Sequence, residues 1–336
     1  MISIKNIAER CGVSTATVSK ALNDHKDVSE LTKKLVRETA KEMGYLPNSQ
    51  ARALKTNRTY NIGILYEDQS GNGLTQRYFS AVIDSFKVEI EKNGYDITFI
   101  SSRSDDSLSY YEHCTYRCID GALVACIDFY DKPAAELLRS ELPLVTLDFY
   151  SDNKGSVFSD NKKGMEDIIN YVCAMGHTKI AYIYGESSLV TVKRLDTFIQ
   201  AMQKNGLTAQ TDYARQARYH DPESVRLIVH DMLKLYEPPT CFVLPDDFAA
   251  LGAMLAVDEA GLRIPEDISI AGYDGIDIMQ IMKPSLVTIK QDTARIGRVA
   301  ADLLIRQIKK ENIPYNERHP VIEGKLLKGN SVRDIN

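Results

Sequence analysis

From residue 60 onward the chain alternates short apolar runs with amphipathic stretches, and this alternation limits the fold more than any other feature of the sequence. Runs at 62–65 (IGIL), 97–100 (ITFI), 122–125 (ALVA) and 144–147 (LVTL) have the length and unbroken apolarity of buried strands; helical patterns beginning near Gln76, Ser107 and Pro133 lie between them. The rhythm resumes with runs at 180–183, 241–244 and 268–271, separated by helical stretches near 161–175, 193–205, 222–236 and 248–260. Gly94, Gly176, Gly206 and Gly261 follow four of the helices as stops. Two successive βα series predict an α/β protein with two lobes, each a parallel sheet covered by helices on both faces. Ligands of such sheets bind beyond the carboxyl ends of the strands, so two of these edges facing each other form a cleft.

The first 58 residues have a different character. They hold eleven Lys and Arg against six Asp and Glu, a charge of +5, while the remainder carries −10. A small basic head on an acidic body suits a module that binds a polyanion. Ser3 can cap a helix with apolar face Ile4, Ile7, Ala8 and Cys11, which Gly12 ends. Ser14 caps a second helix with Val18 and Leu22 inward, and Val13 plugs the angle between the two. Ser29 caps a third with Leu31, Leu35, Val36, Ala40 and Met43 inward, ending at Gly44. The outer face of the second helix, Thr15, Ala16, Thr17 and Lys20, is small, polar or cationic, as a helix must be to enter the major groove. On periodicity alone an αα-hairpin of any helical domain is an equal reading.

The remaining composition narrows the class. Hydrophobic residues make up 44% and charged residues 26%, and no apolar run approaches the roughly 20 residues of a membrane span, so two or three globular units and no membrane partner are expected. The opening MISIKNIAER lacks the pattern of a secretory signal. The six cysteines are scattered without CxxC or zinc-ligand spacing, which fits reduced thiols, a cytoplasmic location and no metal. Cys114 and Cys118, one helical turn apart, fit two core-facing positions better than a redox switch.

The string GVSTATVSKALN followed by VSELTKKLVRETAKEMGYLPNSQARALKT closely resembles the DNA-binding head of the LacI/GalR family of bacterial transcriptional regulators. The resemblance implies base-edge contacts from Thr15, Ala16 and Lys20, and backbone-contacting or capping roles for Ser14, Thr17, Ser19 and Asn23. Lys20 departs from the arginine common there and lacks its planar fork, so a weaker guanine preference or another base is expected. Residues 47–55 resemble the family's hinge helix, which forms on DNA; Leu54 matches a leucine that wedges into the minor groove, flanked here by Gln50, Arg52 and Lys55. A core contact is the alternative for Leu54.

IDGALVAC, MGHTKIAYI, PDDFAALGAM, GLRIPEDISIAGYDG and PSLVTIKQD resemble the family's periplasmic-binding-protein-like core, over residues 60 to about 330. The expected organisation is a helix-turn-helix domain at 1–46, a hinge at 47–58 and an effector-binding domain at 59–336. Its lobes comprise 59–160 with 291–319, and 161–290 with 320–336, so crossings lie near Asp160, Gln291 and Pro320. Asp274 follows a strand directly and Arg194 lies near a helix start after another; a carboxylate accepting from paired hydroxyls and an arginine donating two directed bonds suit a polyol or sugar. The family places effector contacts at positions matching both. Asp148 and Asp246 occupy comparable strand ends. Asp160 divides between ligand contact and lobe hinge, Tyr78 and Phe79 between ligand contact and helix packing, and Asp247 reads best as a helix cap. With no Trp, a stacked pyranose needs Tyr78, Phe79, Phe149 or Tyr273. His220 reads as a solvated loop side chain.

Other functions fit less well. The first βα turn contains Gly71 and Gly73 but neither GxGxxG nor a P-loop lysine, and no Ser/His/Asp constellation emerges, so neither an enzyme nor a cofactor is expected. A transporter's solute-binding protein shares the sensor fold but not the DNA head. The expected protein is a repressor-type regulator that binds a palindromic operator as a homodimer and answers to a sugar-like effector. No leucine heptads follow Lys325 to build a tetramer bundle.

Overall fold

The computed structural model describes residues 2–45, 58–67, 73–101 and 108–336. The chain divides into two compact units, Met1–Thr59 and Tyr60–Asn336.

The first unit contains α1 (Ile4–Cys11), α2 (Thr15–Leu22) and α3 (Glu30–Glu42). Each begins on a serine. The Ser3 N–H donates to Asn6 Oδ1 at 2.9 Å, Ser14 Oγ accepts from Thr17 N at 3.0 Å, and Ser29 Oγ accepts from Thr32 N at 3.2 Å. Gly12, at φ 65°, takes the left-handed conformation that ends α1 and leaves only three residues before α2. Ile7, Ala8, Val18, Ala21, Val28, Val36 and Ala40 form the core. The expected inner face of α3 needs correction. Leu31 is 83% and Leu35 48% exposed, while Lys33 and Thr39 are buried. At 100° per residue both leucines lie roughly 140–180° around the helix from Ala40, so the periodic reading merged two opposite faces. Lys33 buries its stem and pairs its ammonium with Glu30 at 2.7 Å and Asp24 at 3.1 Å.

In the second unit, β1 (Asn61–Tyr66), α4 (Arg77–Lys92), β2 (Asp96–Ile100), α5 (Tyr110–Tyr116), β3 (Gly121–Ala125), α6 (Lys132–Arg139), β4 (Leu144–Leu147) and β5 (Gly155–Ser159) build one lobe. The chain then forms α7 (Asn161–Ala174), β6 (Ile180–Tyr184), α8 (Leu189–Lys204), β7 (Ala214–Gln216), α9 (Pro222–Met232), β8 (Cys241–Val243), α10 (Ala250–Glu259), β9 (Ser269–Ala271), α11 (Asp277–Ile281) and β10 (Thr288–Lys290). It returns through α12 (Thr293–Ile308), α13 (Tyr315–Arg318) and β11 (Val321–Ile322) to the first lobe, and ends with β12 (Lys325–Leu327) on β10. The first sheet has the order β11-β5-β4-β3-β1-β2 and the second β7-β6-β8-β9, all pairs parallel. Val321 and Ile322 pair with Phe158 and Ser159, so the third crossing follows Ile322, two residues past Pro320.

Both sheets are covered on both faces. In the first lobe Ile62, Ile64 and Leu123 pack under Phe86 of α4 and Leu304 of α12, and Leu65, Val124 and Leu144 under Tyr110 of α5 and Leu137 of α6. In the second, Ala181 and Phe242 pack under Val225 of α9 and Ala253 of α10, and Ile180 and Val243 under Ile169 of α7 and Phe198 of α8. Burial on both sides is why these strands carry unbroken apolar runs. Helices α4 and α12 touch at Gly297, where a Cβ would stand 2.5 Å from the Val82 carbonyl oxygen.

Candidate functional site

On the first unit, Thr15, Ala16 and Lys20 point outward from α2, and Ser19 and Thr17 are half-buried. Ser14 and Thr17 bond to each other at 2.8 Å, and Asn23 closes the helix by donating to the Ser19 carbonyl at 2.6 Å. Lys20 is held by Asp27 at 2.5 Å, so its ammonium must leave that partner to reach a base. The Lys20 ammonium in turn draws down the carboxyl of Asp27 through that hydrogen bond. Arg37 and Lys33 share Asp24. Arg52, Leu54 and Lys55 lie outside the described residues.

The second unit gathers most of the remaining candidates around the carboxyl ends of β4, β6, β8 and β9. Asp148, one residue past β4, has φ 53° and Asp274, three past β9, has φ 103°. Left-handed backbone at a non-glycine residue is costly, and here it turns each carboxylate back over the strand end. Asp148 Oδ1 accepts from Ser159 N at 2.9 Å, and Asp274 Oδ1 accepts from Gln291 Nε2 at 2.7 Å. One oxygen of each is therefore fixed internally. Burial raises both carboxyls to about 6, against the pull of Arg194 on each. The Tyr78 hydroxyl, 3.1 Å from Ser159 Oγ, lies in the field of both acids and is itself pushed up by burial.

Arg194 projects from the first turns of α8. Its Nε donates to Asn161 Oδ1 at 2.7 Å, its Nη1 to the Pro245 carbonyl at 2.9 Å, and its guanidinium covers the Tyr273 ring at 3.5 Å. Tyr273 thus spends one face on the arginine, and Phe149 spends one on Phe129 at 4.1 Å. Phe79 packs edge-to-face on Tyr78 and against Tyr66. Asp160 caps α7, accepting from Lys163 N at 2.9 Å, and sits at the first crossing.

Three readings are corrected. Asp246, not Asp247, serves the helix that follows, accepting from Ala249 N at 2.8 Å. Asp247 instead accepts from Thr288 Oγ1 at 2.6 Å and Ile276 N at 2.9 Å, tying β8 to β10 and to the loop after Asp274; burial holds its carboxyl well above the ordinary range. His220 is not a solvated side chain. Its Nδ1 stands 3.3 Å from Asp246 Oδ1 and its Nε2 2.6 Å from Gln76 Nε2, across the two lobes. Gln76 Oε1 accepts from Phe79 N, so its Nε2 is the donor and His220 Nε2 the acceptor, which leaves Nδ1–H for Asp246. Burial opposes ionisation of Asp246, but the bonds from His220 outweigh it and hold the carboxyl below its ordinary value.

Asn161, Gln291, Tyr219 and Tyr182 were not among the expected ligand positions, and all converge here. Tyr219 bonds Thr191 at 3.0 Å beside Arg194, and two buried polar atoms, Tyr182 Oη and Gln291 Oε1, meet no partner among the described residues. Polar residues in otherwise apolar strands and at chain crossings are the available signal: Tyr182 interrupts a strand, and Gln291 marks a crossing. A cavity of about 270 Å³ near Lys154, Gln307 and Arg318 lies apart from these carboxylates; there Lys154 is committed to the Ser140 and Leu142 carbonyls.

Comparison with known proteins agrees with both halves. Residues 3–48 match the family described as bacterial regulatory proteins, lacI family, and 169–332 match a periplasmic binding protein-like domain. The HTH-type transcriptional repressor PurR of Pasteurella multocida is 33% identical over 329 residues, covering 95% of this chain and 96% of that protein. The PurR of Aliivibrio salmonicida is 32% identical, covering 96% and 97%. The lac repressor dimer bound to operator and the anti-inducer ONPF superposes with a TM-score of 0.83 at 25% identity, covering 99% of both chains. An Enterococcus faecium LacI family regulator with bound ribose shares the fold, at TM-score 0.70 and 24% identity, covering 82% of this chain and all of that one. A three-helix head, a two-lobed core with carboxylates at its strand ends, and relatives matched along nearly their whole length place this chain in the LacI/GalR family of transcriptional regulators, related to the PurR-type repressors.

Proposed function

We propose that the chain is a repressor that binds a palindromic operator as a homodimer and is controlled by a small polyhydroxylated effector held between its lobes. The arrangement of Arg194, Asp148 and Asp274 carries this reading, because directed donors and acceptors from two separately hinged sheets converge where a small molecule can change the angle between them. Thr15, Ala16 and Lys20 read base edges; Ser14, Thr17, Ser19 and Asn23 hold the helix against phosphates; Arg52, Leu54 and Lys55 serve the hinge. In the cleft, Arg194 and Asp274 bind the effector from one lobe and Asp148 from the other, with Tyr78 and Phe79 behind it. Asp246 acts through His220, and Asp160 acts at the hinge.

Two lines support the assembly. The lac repressor relative is a dimer on its operator. Leu227 of α9, Leu255 of α10 and Ile278 and Ile281 of α11 are exposed apolar side chains of the second lobe, which a second copy would cover. Among the described residues no helix is long and apolar enough to cross a membrane.

The reading is tested by thermal-shift titration of the full-length protein with sugars, sugar phosphates and nucleobases, beside operator binding. Arg194→Ala and Asp274→Ala abolish the shift and keep operator affinity. Variants that respond to the ligand as the wild type does remove the cleft from the account.

A further inference from the structure

Around Asp274 and Gln291 the cleft offers open acceptors. Asp274 gives Oδ1 to Gln291 Nε2, and Asp148 gives Oδ1 to Ser159 N, so the second oxygen of each carboxylate is open among the described residues. Gln291 is 5% exposed, and its Oε1, beside Asp274, is buried without a partner. The Gln291 amide cannot be reversed to change this, because Oε1 would then face a carboxylate oxygen. The surrounding cations are committed. Arg194 gives Nε and Nη1 to Asn161 and Pro245 and its face to Tyr273. Lys193 lies over the Phe158 ring at 4.9 Å. His220 gives Nδ1–H to Asp246 and receives at Nε2 from Gln76.

A hydroxyl has one hydrogen for three such acceptors and turns its own lone pairs toward two carboxylates. An ammonium has three hydrogens, no lone pair and a charge that compensates the acids. Phosphate or carboxylate would add acceptors and negative charge beside two carboxylates and the unpartnered Gln291 oxygen. We propose that the effector carries an ammonium group, seated on Asp274 and Gln291 and closed over by Asp148 from the other lobe. The ligand class is an amino sugar or a polyhydroxylated amine whose hydroxyl oxygens turn to Nη2 of Arg194. This inference rests on the sugar-like reading of the cleft and narrows it to a charge class. The elevated carboxyls of Asp148 and Asp274 are consistent with it, since a bound cation restores their ionisation.

The test is a thermal-shift and calorimetric comparison of full-length protein with pairs that differ by one amino group: D-glucosamine with D-glucose, D-galactosamine with D-galactose, D-mannosamine with D-mannose, and with D-glucose 6-phosphate as the anion. The expected result is that the strongest ligand is an amine, that its neutral twin binds roughly tenfold or more weakly, and that Asp274→Asn removes most of that difference. Salt weakens the amine more than the neutral sugar. A neutral or phosphorylated sugar as the strongest ligand overturns the proposal and leaves the sugar-sensor reading standing. Failure of every sugar to shift the protein overturns both.

Discussion

Asp274 and Asp148 show how one residue's chemistry can serve binding at the expense of stability. Each carboxyl has an ordinary value of 3.8 and titrates at about 6 in the fold, raised first by burial. For Asp274 the neighbouring Asp246 adds to the rise while Arg194, His220 and Gln291 oppose it; for Asp148, Ser159 N, Arg194 and Lys193 oppose it. A raised carboxyl binds more protons folded than unfolded between these two values. Its contribution to stability is therefore full below about 3.8 and lost as pH rises through about 6. Asp274→Asn is expected to raise the melting stability of the ligand-free protein at pH 7.5 by about 1–3 kcal/mol and to have little effect near pH 3.5. Thermal unfolding across that pH range checks the sign; a variant less stable than wild type at pH 7.5 contradicts it. Ligand affinity runs the opposite way, falling from pH 7.5 to pH 5 as both acids are protonated. On the first unit, Lys20→Ala costs about 1–3 kcal/mol of operator binding, read by fluorescence anisotropy at fixed salt. The placement of Asp274 beyond a strand end and of Arg194 early in the next helix was legible from the apolar runs that precede them. His220 and Gln291 were not, because their partners Gln76 and Asp274 lie 144 and 17 residues away in sequence.

At the scale of elements, apolar pattern reported strands and helices well where burial is two-sided, as in β1, β3, β6 and β8. It missed β5 (GSVFS) and β7 (ARQ), which carry no unbroken apolar run and whose place is fixed by pairing with β4 and β6. It also merged the two faces of α3, because Leu31 and Leu35 look like core residues until the positions of α1 and α2 are known. Close helix contact shows a third limit. Nothing in the sequence marks Gly297 as the meeting point of α4 and α12, yet a Cβ there lies 2.5 Å from Val82 O and 2.6 Å from Phe86 N, both backbone atoms that cannot yield alone. Gly297→Val forces these helices apart and is expected to destabilise the second unit by about 1–3 kcal/mol or more. Urea denaturation of that variant measures the loss, and an unchanged midpoint rejects the packing described.

Across the whole molecule, the divided charge and the order of segments announced a basic head and a two-lobed acidic core before any coordinates. The third crossing fell past Ile322 because two short residues of β11 complete the first sheet, a pairing without an apolar run to reveal it. Coupling between core and head is the claim that joins the parts. A ligand that prefers one angle of the lobes by a few kcal/mol changes operator occupancy by one to two orders of magnitude. In the proposed dimer, the exposed Leu227, Leu255, Ile278 and Ile281 of the second lobe are the side chains a second copy covers. Light scattering at micromolar concentration is expected to give twice the chain mass, and Ile281→Glu to halve it. The most direct measurement is selection of binding sites by the full-length protein from a randomised duplex pool at moderate salt, repeated with the effector. The account predicts enrichment of one two-fold symmetric sequence whose recovery changes at least tenfold with ligand; a pool that shows no preferred sequence under either condition contradicts it.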